Sequence, residues 1–215
     1  MNISAQPVNS RQYHYKTPAF GAKVVDRLCV NLKTDTVSFL NNGTAVLDEP
    51  MPFFKGIKNL LNAVTKNIKN NVEGKTCLDS LDKYRLSEML EYFPRKLFEN
   101  RMLNGVVGSG NNNLAFKIDN NEVLCVSEDM NFFNKRPFED FDLPLISKGM
   151  YDTYFTKNTQ GWFIRKLGEP VTDSELETIK QEIFKKGYKV KDWNPEQGCK
   201  LDNKLYLIDF ECAYK

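Results

Sequence analysis

Three short apolar runs between residues 103 and 126 constrain the fold of this chain most strongly. The segment LNGVVGSGNNNLAFKIDNNEVLCVS predicts strands at about 103 to 107, 114 to 118 and 122 to 126. A glycine-rich turn separates the first two strands, and Asn120-Asn121 separates the last two. Strands joined by such short turns pair antiparallel. The runs LPLISKG (143 to 149) and GWFIRKL (161 to 167) predict two further strands.

Residues 52 to 69 predict an amphipathic helix, because apolar residues recur there at three- and four-residue steps. Four lysines occupy the opposite face of this helix. One interpretation is a helix that binds a membrane surface or a partner. The favoured interpretation is a helix packed on the core with its lysines in solvent.

Two further helices are predicted. One runs from Asp79 to about Phe93, and the other starts at the capping box Thr172-Asp-Ser-Glu175 and ends at Gly187. The residues expected to face inward are Leu81, Leu86, Met89, Leu90 and Phe93 in the first helix, and Leu176, Ile179, Ile183 and Phe184 in the second.

The composition argues against several classes of protein. There are 30 basic and 28 acidic residues, a balance that argues against a nucleic-acid-binding protein. His14 is the single histidine, so a His-based triad or a multi-His metal site would have to use it. The five cysteines form no Cys-x-x-Cys pair, which argues against a disulfide framework or a zinc knuckle and favours a reducing compartment.

The 215 residues divide by composition into three parts: a flexible leader at 1-20, a mainly helical N-terminal region at 21-100, and a domain at 101-215. A small hairpin is expected before residue 48, with its turn at Asn41 to Gly43. No apolar run approaches a transmembrane segment, and the N-terminus lacks the apolar core of a Sec signal. We therefore expect a soluble protein, either cytoplasmic or a secreted effector exported by a non-Sec route.

The order of elements from about residue 100 resembles the protein kinase-like fold. It consists of strands, a glycine-rich turn, strands, one helix, an Asp-bearing loop, and a strand ending in Asp-Phe. It is most similar to the minimal kinases among bacterial effectors and to aminoglycoside-phosphotransferase-like enzymes. The resemblance covers about half the chain and implies an α+β kinase-like domain at 101-215, with an antiparallel sheet, a glycine-rich hairpin and helices. It also implies a truncated C-terminal lobe, because six residues follow Asp209.

The first motif of the resemblance is GSGNNNLAF, which starts at Gly108. In the family, a glycine-rich hairpin lets backbone N–H groups approach the phosphates of ATP. Two glycines between strands are also typical of an ordinary turn, and this alternative stays open. The resemblance implies nucleotide contacts at Gly108, Ser109, Gly110 and Asn113, with Ala115 covering the adenine.

The other two motifs are KDWNPEQ at 191 to 197 and LYLIDFE at 205 to 211. The resemblance implies that Asp192 orients the attacking hydroxyl and that Asp209 binds Mg²⁺, with Gln197 at the position of a metal-binding Asn. From the residues alone, 205 to 208 predict a buried strand, and an Asp at its end needs a partner. A polar loop in which Asp192 caps a turn is the alternative.

One position departs from the family pattern. The third strand of the family carries a Lys that contacts the phosphates and pairs with a helix Glu. Its spacing from Gly108 falls on Ser127 in this chain. Lys117, on the same strand face as Ala115, is the nearest replacement. More distant candidates are Lys135 and Lys148, with Glu139 as the partner carboxylate.

Two main hypotheses follow for the function. The first is an atypical minimal kinase that uses ATP and Mg²⁺ to phosphorylate a hydroxyl of a protein or a small molecule. The second is a catalytically inactive pseudokinase that binds a protein partner. The absent Lys favours the second, because it removes preorganised electrostatic stabilisation, whereas Asp192 and Asp209 favour the first. A third alternative is an unrelated α+β domain. The expected partners are a nucleotide and a protein, and no nucleic acid.

Overall fold

The computed structural model describes residues 36–39, 45–70, 78, 80–109, 113–127, 141–153, 159–191, 193–209 and 212–214. These residues form a mixed α+β fold with mostly antiparallel pairing, as predicted. The described helices are α1 (Phe53–Lys69), α2 (Ser80–Tyr92), α3 (Arg95–Phe98) and α4 (Asp173–Lys185). Among the described residues, no helix is both long enough and apolar enough to span a membrane.

The main sheet has seven strands. They are β1 (Val37–Phe39), β2 (Ala45–Pro52), β3 (Met102–Ser109), β4 (Asn113–Ile118), β5 (Glu122–Ser127), β6 (Leu145–Asp152) and β7 (Thr159–Lys166). Their order across the sheet is β1-β2-β3-β4-β5-β7-β6. All the strands predicted from residue 103 to residue 167 are therefore confirmed, and β6 forms one edge of the sheet.

Five shorter strands form two small sheets in the C-terminal part. They are β8 (Glu169–Pro170), β9 (Lys189–Val190), β10 (Gly198–Leu201), β11 (Lys204–Leu207) and β12 (Ala213–Tyr214). Strands β11, β10 and β8 pair in that order, and β12 pairs with β9. The hairpin β10–β11 therefore leads the chain directly to Asp209.

Both predicted hairpin regions contain paired strands. Strands β1 and β2 pair antiparallel, with Val37 opposite Leu47, while the turn predicted at 41 to 43 lies outside the described residues. Between β4 and β5, Asp119 and Asn121 have φ values of 44° and 74°. Asp and Asn tolerate this left-handed backbone, which confirms the predicted turn. Strands from both sides of residue 100 thus share one sheet.

The first face of the sheet, defined as the side that packs on α1 and α2, is covered by apolar side chains. Helix α1 starts directly after Pro52 and buries Phe53, Ile57 and Leu60 completely. Its lysines are exposed, which agrees with the favoured interpretation of a core-packed helix. The ring centroids of Phe53 and Phe98 are 5.0 Å apart.

Helix α2 departs from the predicted inward face at one position. Leu86, Met89 and Phe93 are buried as predicted, but Leu81 is 40% exposed. The residues buried in addition are polar: Asp82, Arg85 and Glu88. The reason is that the sheet offers polar partners to this helix. The Nε2 of Gln160 on β7 donates to Glu88 at 2.7 Å.

The second face of the sheet, which carries Cys125 and Phe163, packs against α4 and the β10–β11 hairpin. Thr172 and Glu175 form the predicted capping box, and the N–H of Gly187 donates to the carbonyl of Phe184 at 2.9 Å where the helix ends. Leu176, Ile179 and Ile183 are buried as predicted. The prediction for Phe184 was wrong, because its side chain is 43% exposed.

The strand that precedes Asp209 is less buried than predicted. Leu207 is 2% exposed, but Leu205, Tyr206 and Ile208 are only half-buried. The reason is that β11 is the outer strand of its three-stranded sheet and pairs only with β10 among the described strands. Asp209 therefore follows a half-buried strand rather than a fully buried one.

Candidate functional site

The loop with the predicted catalytic motif KDWNPEQ starts beside residues 212–214. Strands β9 and β12 pair antiparallel, and the N–H of Lys191 donates to the carbonyl of Cys212 at 2.8 Å. These bonds hold the start of the loop against the segment that follows Asp209. Asp192, the predicted catalytic residue, lies outside the described residues, so its role stays a prediction.

Gln197 and Asp209 are neighbours through their backbones. The carbonyl of Gln197 accepts from the N–H of Ile208 at 2.8 Å and from the N–H of Asp209 at 3.4 Å. The carbonyl of Asp209 accepts from the Cys212 thiol at 2.8 Å. The structure thus brings together the two residues for which the sequence predicts metal binding.

The side chain of Gln197 also has a structural contact. It ends a short 3-10 turn, Pro195–Gln197, and its Oε1 accepts from the N–H of Asn194 at 3.0 Å. The Asn194 side chain in turn accepts from the N–H of Glu196 at 3.0 Å. An amide oxygen can accept two bonds, so this contact alone does not prevent Gln197 from binding a metal.

The described residues include Asp209, the carboxylate for which magnesium binding is predicted. Asp209 is half-buried at the end of a strand, and carboxylate oxygens are suitable ligands for Mg²⁺. The described residues contain no group of three His, Cys, Asp or Glu side chains that could hold a metal ion. Asp192 and Glu211 lie outside the described residues. A single carboxylate nevertheless fits Mg²⁺, which commonly keeps waters and binds phosphate oxygens of the substrate.

A row of three paired residues crosses the second face of the sheet near Asp209. Ala115 on β4 is opposite Cys125 on β5, which is opposite Phe163 on β7. Burial raises the pKa of the Cys125 thiol, Arg165 opposes this rise, and the charge of Asp209 adds to it. The Asp209 carboxylate therefore acts on Cys125, the middle residue of this row.

Arg165 on β7 is a charged residue of the second face that the sequence analysis missed. It is 7% exposed, and its Nη1 donates to the carbonyl of Lys166 at 3.0 Å. Its Nε has no hydrogen-bond partner among the described residues. Burial raises the thiol pKa of both Cys125 and Cys199, and the charge of Arg165 lowers both. The guanidinium therefore lies where the sheet meets β10.

The described part of the glycine-rich turn leaves space beside its backbone. Gly108 pairs with Ala115, and a Cβ added to Gly108 would meet no atom of the described structure within 4 Å. No described side chain therefore requires glycine here, and the open space is compatible with a ligand that approaches the backbone. Gly110 lies outside the described residues.

The side chain of Ser109 contacts α2. Its hydroxyl lies 2.8 and 2.9 Å from the two carboxylate oxygens of Asp82, to which it donates. Asp82 also forms a buried ion pair with Arg85 at 3.2 Å. The hydroxyl of Ser109, a predicted nucleotide contact, therefore fixes the end of β3 to the first face.

The structure does not bring Lys117 to the glycine-rich turn. Lys117 pairs with Val123 beside the β4–β5 turn, whereas Gly108 lies toward the other end of the hairpin. Ser127 pairs with Asn113 and is 1% exposed, so the expected position of the family Lys is a buried serine.

The structure describes one of the more distant candidates for the Lys–Glu pair. Lys148 lies on the edge strand β6, where it pairs with Phe163. Lys135 and Glu139 lie outside the described residues. Among the described residues, the buried positive charge beside Cys125 and Cys199 belongs to Arg165 and not to one of the candidate lysines.

Comparisons with known proteins return no match. A scan against models of protein families finds none that fits, and searches of curated proteins and of solved structures find no similar protein.

Proposed function

We propose that this chain is an atypical minimal kinase-like protein that binds ATP and Mg²⁺ between the second face of the sheet and the loop at 191 to 197. It would transfer a phosphoryl group to a hydroxyl of a protein or a small molecule. The observation that carries the proposal is the backbone contact of Gln197 with Ile208 and Asp209. That contact joins the two segments on which the family resemblance depends most.

The order of the elements supports the proposal. The hairpin β3–β4 is followed by β5, by two further strands, and by helix α4. The loop at 191 to 197 then precedes the β10–β11 hairpin, and Asp209 comes directly after it. This is the order in which the resemblance requires the glycine-rich turn, the catalytic loop and the metal-binding Asp.

The proposed chemistry assigns one task to each residue. Asp192 would accept the hydrogen bond of the attacking hydroxyl and orient it toward the γ-phosphate. Asp209 would hold the metal, with Gln197 as a second oxygen donor. Ala115 and Cys125 would cover the base. When bound, Mg²⁺ would neutralise charge that develops on the phosphate oxygens.

Thermal unfolding with Mg·ATP tests this proposal. A ligand at one hundred times its Kd stabilises the folded state by about 2.7 kcal/mol, so the wild-type protein should melt at a higher temperature. The increase should require Mg²⁺ and should be lost in Asp209→Asn. Asp202→Asn is the matched control, because Asp202 is an exposed residue of the β10–β11 turn. No increase in the wild type, or an equal increase in Asp209→Asn, would contradict the proposal.

A kinase-like binding module without catalysis is a second candidate, and Arg165 favours it. The guanidinium acts on both Cys125 and Cys199, so it lies in the region where the base would have to fit. The chain is also close-packed there, since a Cβ added to Gly168 would lie 2.8 Å from the Cβ of Cys199. ATP hydrolysis separates the two candidates. The module predicts no ADP formation by the wild type, whereas the enzyme predicts ADP formation that Asp209→Asn abolishes.

A further inference from the structure

Three arginines are wholly or mostly withdrawn from solvent, and they differ in their counter-ions. Arg85 lies 3.2 Å from the carboxylate of Asp82, and Arg101 lies 2.7 Å from the carboxylate of Asp119. Arg165 is 7% exposed, yet it forms no ion pair with any carboxylate of the described residues. Buried charged groups are ordinarily paired, because removing a lone charge from water costs free energy. Arg165 therefore lacks a counter-ion in the described part of the chain.

The groups around Arg165 do not supply a negative charge in direct contact with it. Burial raises the pKa of the Cys125 thiol, while the charge of Arg165 and a side-chain hydrogen bond from it oppose the rise. Burial also raises the pKa of the Cys199 thiol. Both thiols are therefore protonated and neutral at neutral pH. The charge of Asp209 also reaches Cys125, but Asp209 forms no ion pair with Arg165.

The hydrogen bonds of Arg165 leave part of its guanidinium unsatisfied. Its Nη1 donates to the carbonyl of Lys166 at 3.0 Å, and this acceptor is uncharged. Its Nε has no hydrogen-bond partner where the structure is described. Buried polar groups are nearly always hydrogen-bonded, so a buried donor without a partner needs an explanation. An anionic ligand would explain both the missing bond and the missing counter-charge.

The second face changes from covered to open next to Arg165. On β7, Phe163 is 2% exposed. Its neighbours across the sheet are Cys125, Ala115 and Gly108 in that order, and all three are only half-buried. A Cβ added to Gly108 would meet no described atom within 4 Å. A ligand that approached Cys125 from this open side would come beside the guanidinium of Arg165.

We propose that the Arg165 guanidinium binds a phosphate group of a small-molecule ligand on the open side of the second face. Its N–H groups form a planar fork that matches the oxygens of a phosphate. Arg165 then supplies the positive charge that the buried Ser127 cannot supply at the expected position of the family Lys. The need for an anion comes from the unpaired guanidinium, while the choice of phosphate over carboxylate rests on the proposed function. The inference concerns binding alone, so it is compatible with an enzyme and with a binding module.

Thermal unfolding of the full-length chain with inorganic pyrophosphate tests this inference, without Mg²⁺ and at constant ionic strength so that general screening does not contribute. Millimolar pyrophosphate should raise the melting temperature of the wild type. Arg165→Met keeps a long side chain without the charge, and it should weaken pyrophosphate binding at least about tenfold, which is about 1.4 kcal/mol. Without pyrophosphate, this variant should melt at or above the temperature of the wild type, because it removes an unpaired buried charge.

Arg101→Met is the matched control, because Arg101 has carboxylate partners at 2.7 and 2.5 Å. It should melt at a lower temperature than the wild type and keep the increase caused by pyrophosphate. If Arg165→Met loses as much stability as Arg101→Met, the role of Arg165 is structural and the inference is overturned. An equal pyrophosphate response in Arg165→Met and the wild type would also overturn it. So would a wild type that does not respond to pyrophosphate, or that responds to citrate alone.

Mg·ATP separates this inference from the proposed function. A pyrophosphate response that requires Arg165, together with an Mg·ATP response that does not require Asp209, would support the phosphate site and contradict the proposed function. The opposite pattern is an Mg·ATP response that Asp209→Asn abolishes and Arg165→Met leaves intact. That result would support the proposed function and overturn the role of Arg165.

Discussion

The two faces of the main sheet are built from different kinds of residue. On the first face, a cluster of aromatic rings lies within the core: Phe53 stacks on Phe93 at 5.7 Å between centroids and lies 5.0 Å from Phe98. On the second face, most of the buried core residues are aliphatic, and the thiols of Cys199 and Cys212 are buried among them. The difference indicates that the packed rings of the first face hold the sheet in shape, while the second face carries the thiols and the residues of the candidate site.

The buried charged groups of the two faces differ in their hydrogen bonding. On the first face, the buried Asp82 and Glu88 each have protein partners, Ser109 and Gln160. On the second face, Arg165 keeps an Nε without a partner among the described residues. A satisfied polar cluster stabilises one arrangement, whereas an unsatisfied buried donor is compatible with a ligand.

The largest expected effect is the loss of an aromatic ring from the first face. Phe53→Ala should lower the free energy of unfolding by about 4 kcal/mol, because it leaves a cavity among fully buried neighbours. The matched change on the second face, Ile183→Ala, should cost about 2.5 kcal/mol, since it removes fewer buried atoms. Urea denaturation measures both values. An equal or reversed cost would show that the two cores do not differ as described.

A smaller effect is expected from the polar cluster of the first face. Asp82→Asn should lower the free energy of unfolding by about 3 kcal/mol, because it removes the negative charge of the buried ion pair with Arg85. The exposed Asp202→Asn is the control and should change stability by less than about 0.5 kcal/mol. If both variants unfold at the same urea concentration, the buried carboxylate of Asp82 does not stabilise the fold.

The smallest effect concerns pH and the start of α4 on the second face. The pKa of Glu175 is lowered to about 2, mainly by the side-chain hydrogen bond from Lys200 and also by the bond from the Thr172 N–H. The unfolded chain therefore binds more protons between pH 4.5 and pH 2, so this contribution to stability is present above pH 4.5 and is lost as the pH falls to about 2. Glu175→Gln should flatten the acid limb of the stability curve. An unchanged acid limb in Glu175→Gln would show that the hydrogen bonds of Glu175 do not contribute to the pH dependence of stability.

The sequence predicted the elements of the fold better than the residues that face each other. Periodicity found α1 and the strands around Gly108, because each pattern is local. The same periodicity placed Leu81 inside, whereas α2 instead buries Asp82, whose partner Ser109 comes from a strand that no local pattern links to it.

The candidate site was predicted in part for the same reason. Asp209 and Gln197 follow local motifs, and the structure brings their backbones together. Arg165 was missed because its importance comes from the antiparallel pairing of β7 with β5, which places it near Cys125. An arginine within the apolar alternation of GWFIRKL was the only signal for it in the sequence.

The two tryptophans allow a direct test of the central claim, that nucleotide chemistry belongs to the second face. Trp162 lies in the first-face core, and Trp193 packs against the second-face core next to the loop motif. Mg·ATP should change the emission of Trp193 in Trp162→Phe and leave that of Trp162 in Trp193→Phe unchanged. A response of Trp162 alone, or of neither tryptophan at millimolar Mg·ATP, would contradict the claim.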